Sequence, residues 1–217
     1  MSETPYIDRP TLHPKGFNSS AILPYELRVA EIRSAMDNLY DFLYNVNNFL
    51  VSRGYERLEE TLSGATFSGL MSELVVESLG KHSATMEKNA YHNGRPDLIP
   101  RGLYGPAGVL RGADGVEVKA SRNKSGWQGH NIESGWIMIF QYGIDLITEP
   151  LTNREPTTFE RVLCAQLEED DWSFSGRSAS SRRTITASIL RCGTEKLAGN
   201  PIYLDPSYAG RRRPRHQ

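Results

Sequence analysis

Two short stretches decide how this chain is read: Gly94-Arg95-Pro96-Asp97-Leu98-Ile99-Pro100, and Gly115-Val116-Glu117-Val118-Lys119-Ala120. In the second, apolar and charged residues alternate. Successive side chains of a strand point to opposite faces, so Glu117 and Lys119 share one face while Val116 and Val118 occupy the other. One carboxylate follows a proline, a second stands in a strand, and a lysine stands beside the second.

The elements on either side follow from composition and spacing. The glycine-rich segment from Gly102 to Gly115 reads as the loop joining the two strands, and Ser83 to Tyr91 as an earlier strand turning at His92-Asn93-Gly94, since Asn-Gly is a strong hairpin signal. Upstream, Thr66 to Gly80 places Phe67, Leu70, Met71, Leu74, Val75 and Leu79 at helical spacing and closes on glycine. Downstream, Trp136 to Tyr142 is almost continuously apolar, as expected of a central strand covered on both faces. Thr158 to Gln166 and Thr184 to Leu190 read as two further strands or a strand and a helix, and Glu168 to Asp171 as a solvated turn.

A phosphodiester is anionic and repels hydroxide, so its hydrolysis is helped by a divalent cation that screens charge and activates water. Hard oxygen ligands suit magnesium, and two carboxylates from different strands, Asp97 and Glu117, can share one Mg²⁺ and leave its other positions to water and phosphate oxygen. Lys119 would orient or deprotonate the attacking water, or stabilise the phosphorane. The competing reading makes Asp97 a turn cap and Glu117 with Lys119 a cross-strand ion pair on a solvated sheet face.

In residue type, spacing and element order, the chain from about Phe67 to Asp145 resembles the PD-(D/E)xK nuclease superfamily, which includes most type II restriction endonucleases. The resemblance implies an α/β fold with a restriction-endonuclease-like core, a central mixed β-sheet flanked by helices, here with an N-terminal helical extension. It also implies a glutamate on the helix before the core strands. Glu73 and Glu77 lie one turn apart on one helix face, and Glu73 is preferred.

The 217 residues are enough for one sizeable core. The organisation expected is an irregular arm over 1–23, a single domain over 24–210 and a basic tail over 211–217. Within the domain, 24–64 is the helical extension, 65–147 the catalytic core and 148–210 a C-terminal portion. The arm carries Pro5, Pro10, Pro14 and Gly16. From Pro24 to Ser52 a long helical stripe runs through Leu39, Tyr40, Leu43 and Val46 and ends at Gly54, suited to a dimer contact or to burial against the sheet.

A net charge of −1 does not mark the whole chain as a nucleic-acid binder, because non-specific affinity comes from Lys and Arg at phosphates. Basic residues are instead concentrated locally: Trp172 to Gln217 holds nine Lys or Arg against two acidic residues. Cys164 and Cys192 have no metal-ligand spacing and read as small buried residues, and the absence of a leader pattern gives the expectation of a reduced, cytoplasmic protein. No run approaches the ~20 apolar residues that cross a bilayer.

The loop after the Glu117 strand offers Arg122 and Lys124 for phosphates and Gln128, His130 and Asn131 for base edges or backbone, with a polar loop anchored by Trp127 as the plainer reading. A second basic surface holds Arg177, Arg182 and Arg183. Together these readings give the expectation of a Mg²⁺-dependent endonuclease acting on double-stranded DNA, of the type II restriction kind, working as a homodimer without a membrane. Its rivals are a structure-specific or repair nuclease of the same fold and a non-catalytic DNA-binding or assembly protein.

Overall fold

A computed structural model of the chain describes residues 7–129, 132, 134–174 and 186–208. Four α-helices occur there: α1 (Val29–Ser52), α2 (Leu58–Thr61), α3 (Gly64–His82) and α4 (Arg191–Ala198). The strands are β1 (Met86–Lys88), β2 (Leu98–Pro100), β3 (Val116–Ser121), β4 (Gln128–Gly129), β5 (Gly135–Gly143), β6 (Thr158–Leu167), β7 (Trp172–Phe174), β8 (Ala187–Ile189) and β9 (Pro201–Leu204).

The apolar run expected to be a central strand is β5, and the sheet is built outward from it. Six strands take the order β1-β2-β3-β5-β6-β9, with β3 and β5 parallel and every other pair antiparallel. This is an α/β protein with a central mixed sheet. Alternation along β5 splits its residues between two cores: Met138, Phe140 and Tyr142 join a large core with α1 and α3, while Ile137 and Ile139 join a smaller one. The smaller core lies under the three-stranded sheet β4-β8-β7 and α4, with Trp172, Ile189 and Leu197 buried in it. Each large apolar side chain so buried contributes roughly 1.5–3 kcal/mol.

The stripe of α1 lies inside the large core: Ile32, Ala35, Met36, Leu39, Tyr40 and Leu43 are all buried. Of the two roles the stripe suited, burial is the one observed, and the Tyr40 hydroxyl also accepts the Phe159 N–H at 2.8 Å. The helix starts at Val29, not Pro24, because Tyr25 and Glu26 adopt left-handed φ values of 52° and 60° that interrupt a right-handed helix. It closes where expected, with Gly54 at φ 80°.

Three further expectations are corrected. The described part of the N-terminal arm is irregular but packed, with Leu12 buried in the large core and Phe17 bridged to Tyr203 of β9. The acidic turn is not wholly solvated: Asp171 is 2% exposed and accepts from Lys196 Nζ at 2.7 Å and from the Glu168 N–H at 2.9 Å. Of the cysteines, Cys164 is buried, which pushes its thiol up to about 12, whereas Cys192 is exposed on the first turn of α4.

Among the described residues no helix is long and apolar enough to cross a membrane. The arginine-rich segments at Arg177, Arg182, Arg183 and 211–217, with His130 and Asn131, lie outside the described residues.

Candidate active site

The site arises where β2 leaves β3. The two strands share one register pair, Leu98 with Val116. Beyond it the outward N–H groups of β3 are taken by side chains: Val118 donates to Asp97 Oδ2 and Ala120 donates to Ser72 Oγ of α3, both at 2.8 Å. A backbone donor of a partly buried strand needs an acceptor, and these two satisfy it without a neighbouring strand. The result is a split between β2 and α3 on one side and β3 on the other.

Gly115 makes the close approach at the root of this split possible. Its φ is +148°, and a Cβ there would come within 2.2 Å of Pro96 Cγ and 2.3 Å of the Leu98 carbonyl oxygen. A glycine at this point lets Pro96-Asp97 lie directly against the start of β3.

Above the split is a cleft of about 660 Å³ whose walls include Asp97, Glu117, Lys119, Glu73, Ser72 and Gln128. The alternation of β3 holds as read: Val116, Val118 and Ala120 enter the large core, and Glu117 and Lys119 face the opposite way. On that face the second core begins at β5, and no residue of β3 belongs to it, so the two charged side chains border open space. Lys119 Nζ lies 3.5 Å from Glu117 Oε1, with the side chains 16% and 13% exposed. The pair lies within one strand and is largely withdrawn from solvent, unlike a cross-strand pair on a solvated face.

Glu73 also borders the cleft, but its side chain is 74% exposed and lies 3.4 Å from Lys88 Nζ. Lys88 is also 3.3 Å from Glu77, which is not part of the cleft wall. Among the described residues no three His, Cys, Asp or Glu side chains are grouped to hold a metal, so Glu73 does not complete a three-carboxylate set with Asp97 and Glu117.

The loop after β3 forms the facing wall through Asn123, Gly126, Trp127 and Gln128. Trp127 anchors it: the ring is buried and its Nε1–H donates to the Asn123 carbonyl at 3.0 Å. Gln128 is exposed at the cleft. Lys124 is directed elsewhere, with Nζ 5.1 Å from the Tyr208 ring centroid. Arg122 Nε is buried with no hydrogen-bond partner, and its charge acts on Tyr142, whose hydroxyl is 2.7 Å from Ser68 Oγ.

Arg95 is a wall residue of the same cleft that the reading of the sequence did not single out. Its place directly before Pro96-Asp97 was the available signal. Compared with protein-family models, curated proteins and solved structures, the chain matches none.

Proposed function

We propose that this cleft hydrolyses phosphodiester bonds of double-stranded DNA with Mg²⁺, in the manner of PD-(D/E)xK endonucleases and of the type II restriction kind, in a homodimer. The observation that carries the reading is the convergence of Asp97, Glu117 and Lys119 on one cleft, with Asp97 hydrogen-bonded to the backbone between the other two.

The donor set fits magnesium. Mg²⁺ commonly takes one or two carboxylates and fills its remaining positions with water and substrate phosphate oxygens. Asp97 and Glu117 would hold it, and when bound it supplies charge neutralisation at the phosphate and a more acidic water. The protein's own groups do the rest. Lys119 donates from beside Glu117 toward the phosphate, orienting the nucleophile and stabilising the extra negative charge of the phosphorane. The Val118 and Ala120 N–H groups, already engaged by Asp97 and Ser72, fix the strand that carries Glu117 and Lys119. Attack of water on phosphorus forms one P–O bond and breaks another, leaving a phosphomonoester and a free hydroxyl.

Incubating the full chain with plasmid and phage DNA plus Mg²⁺, then sequencing the ends, tests this reading. Discrete ends that disappear with EDTA and in Asp97→Asn, Glu117→Gln and Lys119→Ala support it. Each substitution removes an interaction worth several kcal/mol at the transition state, at least roughly a hundredfold in rate. Cleavage unchanged by all three, or none by the wild-type chain, would refute it.

A further inference from the structure

A second recess of about 460 Å³ adjoins the cleft, and Arg95 and Glu117 belong to the walls of both. Its walls bring together a pair of cations and a pair of rings: Arg95 with Arg111, and Trp136 with Phe174. The two arginines are backbone partners in a parallel bridge, closed by Arg95 N–H to the Leu110 carbonyl at 3.0 Å and Gly112 N–H to the Arg95 carbonyl at 2.7 Å. Partners in such a bridge direct their side chains to the same side, and both line the recess. Phe174, at the end of β7, is 48% exposed although it is a large apolar ring.

Guanidinium groups beside an exposed ring are complementary to a nucleotide, the phosphate going to arginine and the base to the ring face. The volume falls in the range of about 300–1,000 Å³ seen for pockets that hold small organic ligands. A base inside a duplex has both faces covered by its neighbours, so a ring offered in a recess is matched by a base that has left the stack.

We propose that this recess receives one unpaired nucleotide of the DNA strand, with its phosphate on Arg95 and Arg111 and its base against Phe174 and Trp136. The recess then holds the strand beside Glu117 and sets which nucleotide lies next to the bond to be cut. The inference rests on the nuclease reading of the adjoining cleft.

Its test is fluorescence anisotropy of a labelled mixed-sequence single-stranded hexamer with the full chain, in Ca²⁺ in place of Mg²⁺. Phe174→Ala is expected to weaken hexamer binding about tenfold or more, since stacking on one aromatic side chain is worth about that much, and Arg111→Ala to weaken it through loss of a charge-assisted phosphate contact; both are at exposed positions. Phe174→Trp restores it, and a hairpin duplex carrying one unpaired nucleotide binds more tightly than the same duplex fully paired. Wild-type affinity in both alanine variants, no hexamer binding, or equal affinity for the paired duplex and the duplex with an unpaired nucleotide would overturn the proposal. Plasmid cleavage in Mg²⁺ separates the two ideas. Cleavage without hexamer binding removes the recess and keeps the active site, while variant-sensitive hexamer binding without cleavage does the reverse.

Discussion

Asp97 Oδ2 accepts the N–H of Val118 at 2.8 Å, which seats the first carboxylate of the site on the backbone between Glu117 and Lys119. The geometry of the candidate site is thus fixed by the strand itself. The same strand is held one step farther on by Ser72 of α3, so a helix and the bend before β2 both position β3.

Replacing Ser72 by alanine leaves the Ala120 N–H without its acceptor. A buried donor left unsatisfied costs about 1–3 kcal/mol, and urea unfolding is expected to show a loss in that range. The proposed DNA cleavage is expected to fall as well, because Glu117 and Lys119 lose one of the two side-chain acceptors that hold the edge of their strand facing away from β5. A stability loss with wild-type cleavage would limit Ser72 to a purely structural role.

Gly115→Ala is expected to reduce cleavage more than stability. The added Cβ meets Pro96 and the Leu98 carbonyl, and relief requires Pro96-Asp97 to move off β3. Cleavage rates and thermal melts on the same preparation measure the two effects separately.

A buried charge cluster provides a test remote from the site. Glu60 Oε1 lies 3.0 Å from both Arg57 and Arg154, with Glu60 8% and Arg57 5% exposed. Glu60→Ala removes this acceptor from both guanidinium groups, although Arg154 keeps Glu149 and Arg57 keeps the Arg154 and Glu155 carbonyls, and is expected to lower the midpoint of denaturant unfolding.

Stability at low pH is expected to depend on Asp145. Burial works against its ionisation, but hydrogen bonds from Thr148, Ile147 and Glu155 outweigh this and lower the carboxyl to about 2. A folded-state value below the ~3.9 of an unfolded aspartate means that the contribution is full above about pH 5 and is lost as pH falls from about 4 to about 2. Asp145→Asn is expected to flatten that part of a pH series of urea midpoints and to lower the midpoint at neutral pH.

Much of the sheet was legible because local patterns carried it. The continuous run from Trp136 to Tyr142 could be satisfied only by burial on both faces, and the alternation of Val116 to Ala120 fixed which side chains meet the cleft. Elements that depend on distant partners were less visible. The helix α4 buries little beyond Gly193 and Leu197, and β9 is a four-residue edge strand defined by its pairing with β6. At the site, the motif pointed to Asp97, Glu117 and Lys119, whereas the hydrogen bond from Ala120 to Ser72 spans 48 positions and has no local signature. The choice between Glu73 and Glu77 turned on how α3 is set against β3: the cleft takes in Glu73 and leaves Glu77 out.

Metal binding by Asp97 and Glu117 can be read from an anomalous difference map of crystals of the full chain soaked in Mn²⁺, a scattering substitute for Mg²⁺. Wild-type crystals are expected to show a peak bound by both the Asp97 and Glu117 carboxylates, and Asp97→Asn crystals no peak there. A cleft without a peak, or a peak held by other residues and indifferent to Asp97, would contradict metal binding by this pair.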